Sequence, residues 1–112
     1  MANIYKYCCD EHIDFEIIFK KFNEYDFGEE VLREKFNDIY VISFEKYFFR
    51  NGSYTALNII VNYENDSTYV TLIGFGGGAG IFNYSRGSNN SITYKPILAL
   101  EELNFKKIAE SY

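Results

Sequence analysis

Every second residue between positions 55 and 63 suits a buried strand face, and this alternation constrains the fold more than any other feature. The residues of that face are Thr55, Leu57, Ile59, Val61 and Tyr63. Asn58 and Asn62 stand between them. Period-two alternation is typical of an antiparallel strand with one face on a core and the other open to water. The sequence therefore predicts a half-buried antiparallel strand over residues 54–63.

Further strands are predicted on both sides of this one. Residues 39–50 are rich in aromatic and β-branched side chains, and Asn51-Gly52 after them is the dipeptide that a tight hairpin turn favours. Residues 64–67 predict a second turn and residues 68–75 a third strand, while residues 81–85 are a further candidate strand. Residues 3–9 predict a short first strand.

A first helix is predicted over about residues 14–25. Asp14 is a candidate N-cap, and Gly28 is the expected stop. Apolar residues follow Asp14 at the spacing of one helix face, namely Phe15, Ile18, Phe19, Phe22 and Tyr25. Residues 29–36 are ambiguous, because their composition favours helix while the segment is short. A second helical turn and an irregular crossover both remain open there.

A last helix is predicted over about residues 95–103. Pro96 fits its first turn, where the missing N–H costs nothing. Asn104 is expected in the left-handed conformation just beyond its end, with Phe105 folding back on Leu100. The tail after it either adds a turn or pairs with the sheet.

Together these elements predict an α+β fold, an antiparallel sheet of three to five strands with two or three helices on one face. The 112 residues fit one domain, residues 1–112. Aromatic residues make up 20% of the chain, more than one sheet and helix layer of this size comfortably buries. We therefore expect a homodimer. The net charge of −5 argues against a nucleic-acid partner, which needs a basic surface.

The two cysteines predict free thiols and no metal site. Cys8 and Cys9 are adjacent, so their side chains diverge and do not bridge each other. With His12 they make only part of a zinc ligand set, and no cofactor is expected. Free thiols fit a reducing cytoplasm. The sequence has no signal peptide and no apolar run of about 18 residues, so no membrane association is expected.

A glycine run occupies residues 74–80, where five of the eight glycines fall. Glycine recurs where the backbone needs positive φ, a bulge or close approach by another group. The run formally fits a dinucleotide fingerprint, but no helix start follows it and no lysine lies near, so nucleotide binding by this motif is disfavoured. A bulge, a surface on which another element presses, and a nest of N–H groups that binds an anion remain open.

We predict that binding of a ligand or partner centres on this loop. The candidate binding residues are Gly76, Gly77, Gly78, Gly80, Tyr84, Arg86 and Glu45. Glu45 is either a pocket carboxylate or a solvent-facing residue that pairs across strands. His12 has no motif partner and reads best as an exposed residue before the first helix, so no catalytic residue is predicted.

Residues 39–105 resemble a known group of sequences. The resemblance rests on Phe44-Glu45-Lys46-Tyr47, the Asn51-Gly52 hairpin, the strand that runs from Val70 into the glycines, and the helix that ends before Phe105. These features are similar to an uncharacterised domain-of-unknown-function family of small bacterial cytosolic proteins with a strand, a Gly-rich loop and a C-terminal helix. The resemblance implies a fold and no activity.

The leading hypothesis is a non-enzymatic cytoplasmic module that binds another protein or itself. The alternative is a small-ligand or nucleotide-binding protein, encoded by a phage or mobile element, that uses the glycine loop with Arg86 and Glu45. A concave pocket beside residues 74–80 would favour the alternative.

Overall fold

The computed structural model of the chain describes residues 2–25, 28–48, 53–76 and 94–111, which form six strands and two helices. In chain order these are β1 (Ala2–Cys9), α1 (Phe15–Asn23), β2 (Glu29–Phe36), β3 (Ile39–Phe48), β4 (Ser53–Glu64), β5 (Ser67–Gly76), α2 (Tyr94–Glu102) and β6 (Lys106–Ser111). The strands make one sheet in the order β2-β3-β4-β5-β1-β6, and every neighbouring pair is antiparallel.

The predicted count of three to five strands with two or three helices is wrong, because the described residues form six strands and two short helices. One added strand is β2, the segment whose sequence was ambiguous, and the other is β6 in the tail. The helix-favouring residues of β2 gain only about a few tenths of a kcal/mol each in a helix. Pairing with β3 outweighs that preference.

A two-residue Asn-Asp turn explains why β2 pairs with β3. Asn37 has a φ of 56°, in the left-handed region that asparagine tolerates, and Phe36 is then the register partner of Ile39. The same dipeptide joins β4 to β5, where Asn65 has a φ of 59°. The second turn was predicted and the first was missed, although the sequences are identical at both turns.

One face of the sheet forms the core. The alternation predicted for β4 is confirmed, since Leu57, Ile59 and Val61 are fully buried. Ile18 and Phe22 of α1 and Leu100 of α2 belong to the same cluster of buried side chains, so both helices pack on this inner face. Burial raises the pKa of Tyr7 and of Tyr63, in or beside this core, to about 12.

Hydrogen bonds to β4 and β5 fix the connection between β1 and α1. The Thr68 hydroxyl is fully buried, accepts the Ile13 N–H at 2.8 Å and donates to the Glu11 carbonyl at 2.8 Å. The Tyr63 hydroxyl donates to the Ile13 carbonyl at 2.8 Å. Asp14 does begin α1, but its side chain makes no capping bond and instead lies 3.1 Å from Nε2 of His12.

Helix α1 ends at Asn23, two residues before the predicted end, and its last turn is tied to α2. The Tyr25 hydroxyl donates to Glu102 at 2.6 Å, and Nζ of Lys21 lies 3.3 Å from the same carboxylate. Both hydrogen bonds lower the pKa of Glu102, and the one from Tyr25 has the larger effect. Gly28 is not part of the helix end; it lies directly before β2.

The predicted end of α2 is confirmed. Asn104 has a φ of 69°, and the Phe105 N–H donates to the Leu100 carbonyl at 3.0 Å. The Asn104 N–H bonds to the Glu101 carbonyl at 3.0 Å, which completes a Schellman end. Phe105 is buried, so this turn also sets the start of β6 against the core.

Candidate binding surface

The sheet has a second surface, opposite the helices, and we call it the outer face. Neither helix of the described residues packs on it, because the buried side chains of both belong to the inner-face cluster. The outer face consists of the strand residues that alternate with that cluster, and the strand registers arrange them in rows across the sheet.

The central row of the outer face crosses all six strands. Its members, from β2 to β6, are Glu34, Val41, Ile60, Thr71, Lys6 and Ala109. The row on one side contains Leu32, Ser43, Asn58, Ile73 and Ile4. The row on the other side contains Phe36, Ile39, Asn62, Tyr69, Cys8 and Lys106. Aliphatic and small polar residues thus occupy the middle, with an acid at the β2 end and a base near the β6 end of the central row.

Several large apolar side chains on the outer face remain exposed. Phe36 is 56% exposed, Phe75 44%, Leu32 43% and Ile39 42%. The aliphatic residues of the inner face of β4 are fully buried by comparison. Burying an exposed side chain of this size stabilises a contact by roughly 1–3 kcal/mol. A partner that covered the outer face would therefore gain this free energy of burial.

Polar side chains in the centre of the outer face are paired with one another. The Ser43 hydroxyl lies 2.5 Å from Oδ1 of Asn58, directly across the β3–β4 pair. Two rows away on the same face, the neighbouring Cys8 side chain raises the pKa of Tyr69, through electrostatic interaction and through a hydrogen bond. The Ser43 hydroxyl and the Asn58 amide oxygen are hydrogen-bonded to each other. A partner can therefore cover this pair and exclude water from it while both oxygens keep a hydrogen bond.

The edge of β2 is less suited to association than the outer face. All eight residues of β2 are exposed, five of them are charged, and its register shifts between Glu30 and Leu32. Arg33 bonds to Glu30 at 2.9 Å and lies 3.7 Å from the ring centre of Phe19. Charges and a bulge on an edge strand are the features that prevent another strand from pairing with it.

The residues predicted for binding are placed only in part. Glu45 lies on the outer face, exposed, directly opposite Glu29 of β2, and Gly76 ends β5 at the same end of the sheet. Gly77, Gly78, Gly80, Tyr84 and Arg86 lie outside the described residues, as do the Asn51-Gly52 turn and the candidate strand at residues 81–85. Glu45 therefore does not face the core, and its nearest cross-strand charge is a like charge.

The described surface includes three open depressions that bear on the candidate residues. One of about 340 Å³ is on the outer face, beside Lys6, Tyr69, Thr71 and Ile108. A second, of about 340 Å³, lies beside Gly28, Glu29 and Glu45. The third, of about 240 Å³, is near His12, which stacks on Tyr63 with ring centres 4.4 Å apart. His12 is about half exposed, as the sequence predicted.

The part of the chain that the structure describes holds neither a metal-binding cluster nor a membrane-spanning helix. It contains no group of three or more histidine, cysteine or acidic side chains placed to hold a metal ion. Neither of its helices has the length and apolar character needed to cross a bilayer.

Comparison with known proteins assigns the chain to a family. Residues 28–104 match a family of unknown function, DUF6054. The chain belongs to that family. The DUF6054 match begins at Gly28 rather than at residue 39, where the resemblance in the sequence was placed, and so it includes β2. It specifies neither a bacterial source nor a glycine loop. Comparisons with curated proteins and with solved structures gave no match.

Proposed function

We propose that this DUF6054 protein is a cytoplasmic module without enzymatic activity, and that it binds another protein or itself through the outer face. The observation that carries this proposal is the asymmetry of the sheet. One face is packed by α1 and α2, while the other presents Leu32, Phe36 and Ile39 more than two-fifths exposed. Exposed apolar patches of this kind mark contact surfaces on monomeric proteins.

The composition of the outer face suits a protein partner. Contact surfaces combine apolar and aromatic anchors with a polar rim that fixes their register. Here Phe36, Ile39 and Phe75 are the available anchors, and Glu34 and Lys6 are charges near opposite edges of the same row.

The surroundings of His12 do not suit a histidine that activates a nucleophile. Its Nε2 lies 3.1 Å from Asp14 in an exposed site, and the residues lining the nearby depression include no serine, threonine or cysteine. A histidine that activates a nucleophile lies within hydrogen-bond reach of that nucleophile. Both cysteines are free thiols, which fits the proposed cytoplasmic location.

A triple substitution tests the proposed contact surface. Leu32→Thr, Phe36→Thr and Ile39→Thr together remove three exposed apolar anchors while keeping residues that favour strands. We expect the triple variant to lose at least about tenfold in affinity for itself or for a purified partner, because each anchor contributes about 1 kcal/mol or more. The measurement is sedimentation for self-association, and calorimetric titration for any purified partner.

Ile17→Gln is the matched control, because Ile17 is 50% exposed on α1 and not on the sheet. It should leave binding unchanged. Equal affinities for the parent and the triple variant would contradict the proposal. So would a saturable thermal shift by a nucleotide or metabolite that Arg86→Ala abolishes, since that result supports the ligand-binding alternative through the glycine loop.

A further inference from the structure

We infer that the outer face docks a second copy of this chain, sheet against sheet, with α1 and α2 on the outside of the assembly. The inference rests on the proposed function and names the partner of the same surface. Two sheets that pack face to face keep their strands within about 30° of each other, and their inner side chains interdigitate. The occupant is identified from the area of the face and from its distribution of charge.

The area of the outer face matches what a stable dimer needs. Six strands at a spacing of about 4.8 Å make a sheet roughly 24 Å wide, and about nine residues at 3.3 Å each give a length of roughly 30 Å. Their product is roughly 700 Å² per copy. A stable interface of ordinary size buries about 800 Å² per partner.

Opposite charges lie near the two edges of the central row. Glu34 is on β2 at one edge, and Lys6 is on β1, one strand in from the other edge. Both are exposed, and within the described ranges neither takes part in an ion pair. Val41, Ile60 and Thr71 fill the row between them.

This distribution of charge selects one symmetry axis. A twofold axis parallel to the strands, between β4 and β5, places β2 over the partner's β6 and β3 over the partner's β1. Viewed along the sheet normal, Glu34 is then offset by about one strand spacing, roughly 5 Å, from the partner's Lys6, and the two long side chains together span the gap of about 10 Å between the sheets. The symmetry repeats the pair, and Ile60 faces the partner's Thr71. An axis perpendicular to the strands would place acidic β2 on acidic β2 instead.

Reciprocal charge reversal tests this arrangement. Glu34→Lys alone places two lysines together at each contact, and Lys6→Glu alone places two glutamates together. Each should weaken the dimer at least about tenfold, since like charges across an interface are strongly unfavourable.

An equimolar mixture of the two variants should form mixed dimers with parental affinity, because both contacts then join opposite charges. The double variant should also dimerise. The measurement is sedimentation equilibrium, with a dimer at twice the 13.1 kDa of one chain.

Glu16→Lys and Lys20→Glu on α1 are the controls, since they change the net charge by the same amounts at exposed positions away from the outer face. They should leave dimerisation unchanged, singly and mixed. A parent protein that stays monomeric at millimolar concentration overturns the inference, as does a dimer that ignores both reversals. The proposed function would survive without the dimer if the parent protein is monomeric and the triple substitution at Leu32, Phe36 and Ile39 lowers its affinity for a purified partner of another kind. A monomer in which the side chains of the outer face are protected from chemical labelling would contradict both the dimer and the proposed contact surface.

Discussion

Replacing Ile18 with alanine will lower the free energy of unfolding by about 2–5 kcal/mol, the range for a large aliphatic residue deleted from a core. Ile18 is fully buried on α1 and belongs to the cluster that joins the helices to the inner face of the sheet. The substitution removes apolar contact and leaves a cavity that the sheet cannot fill. Urea denaturation followed by circular dichroism measures the loss as a lower midpoint at unchanged slope.

Ile17→Ala is the control, because it is the same chemical change at the adjacent residue of the same helix. Ile17 is 50% exposed, and alanine favours helix slightly more than isoleucine, so we expect a change within about 0.5 kcal/mol. Similar losses for both variants would mean that α1 does not pack on the sheet through the face described.

Replacing Gly28 with alanine will cost at least about 2 kcal/mol, because overpacking and backbone strain each cost about 1–3 kcal/mol. An added Cβ would lie 2.6 Å from the carbonyl oxygen of Glu45, which is backbone and cannot rotate away. Gly28 also has a φ of 134°, a conformation that other residues rarely adopt. The start of β2 must then move away from β3. Thermal unfolding, with hydrogen exchange of the β2 amides, measures both the loss and its location.

Glu29→Ala is the matched control at the next residue, where the side chain is exposed and the backbone is ordinary strand. It should leave stability unchanged or raise it slightly, because it relieves the like-charge pair with Glu45. A Gly28→Ala variant as stable as the parent would show that β2 does not approach β3 as described.

The strands that the sequence predicted are those with a buried face. In β4 and β5 every second residue is buried against the helices, so the alternation is visible in the residue types. The two segments whose structure the sequence left open, β2 and β6, form the two edges of the sheet. A strand was not among the alternatives for β2, whereas pairing of the tail with the sheet was one of the two alternatives for β6 and is confirmed. All eight residues of β2 are exposed, and edge strands carry charges that resist further pairing, so no apolar period remains to be recognised.

The candidate surface could not be predicted in the same way, because it depends on strand order. The central row joins residues as distant in sequence as Lys6, Glu34 and Ala109. No local pattern indicates that β1 lies between β5 and β6, because neither of these two strands is connected to β1 by a turn. The sequence instead directed attention to the glycine run, whose local composition is unusual; of the predicted binding residues, only Glu45 and Gly76 are described by the structure.

Intermolecular nuclear Overhauser effects in a mixture of isotopically labelled and unlabelled chains test the central claim that the outer face is a contact surface for a second copy. We expect contacts between Ile60 of one copy and Thr71 of the partner subunit, on the two central strands, and none at Ile17 on α1. Contacts confined to α1 or to the edge of β2, or the absence of any intermolecular contact at millimolar concentration, would contradict the claim.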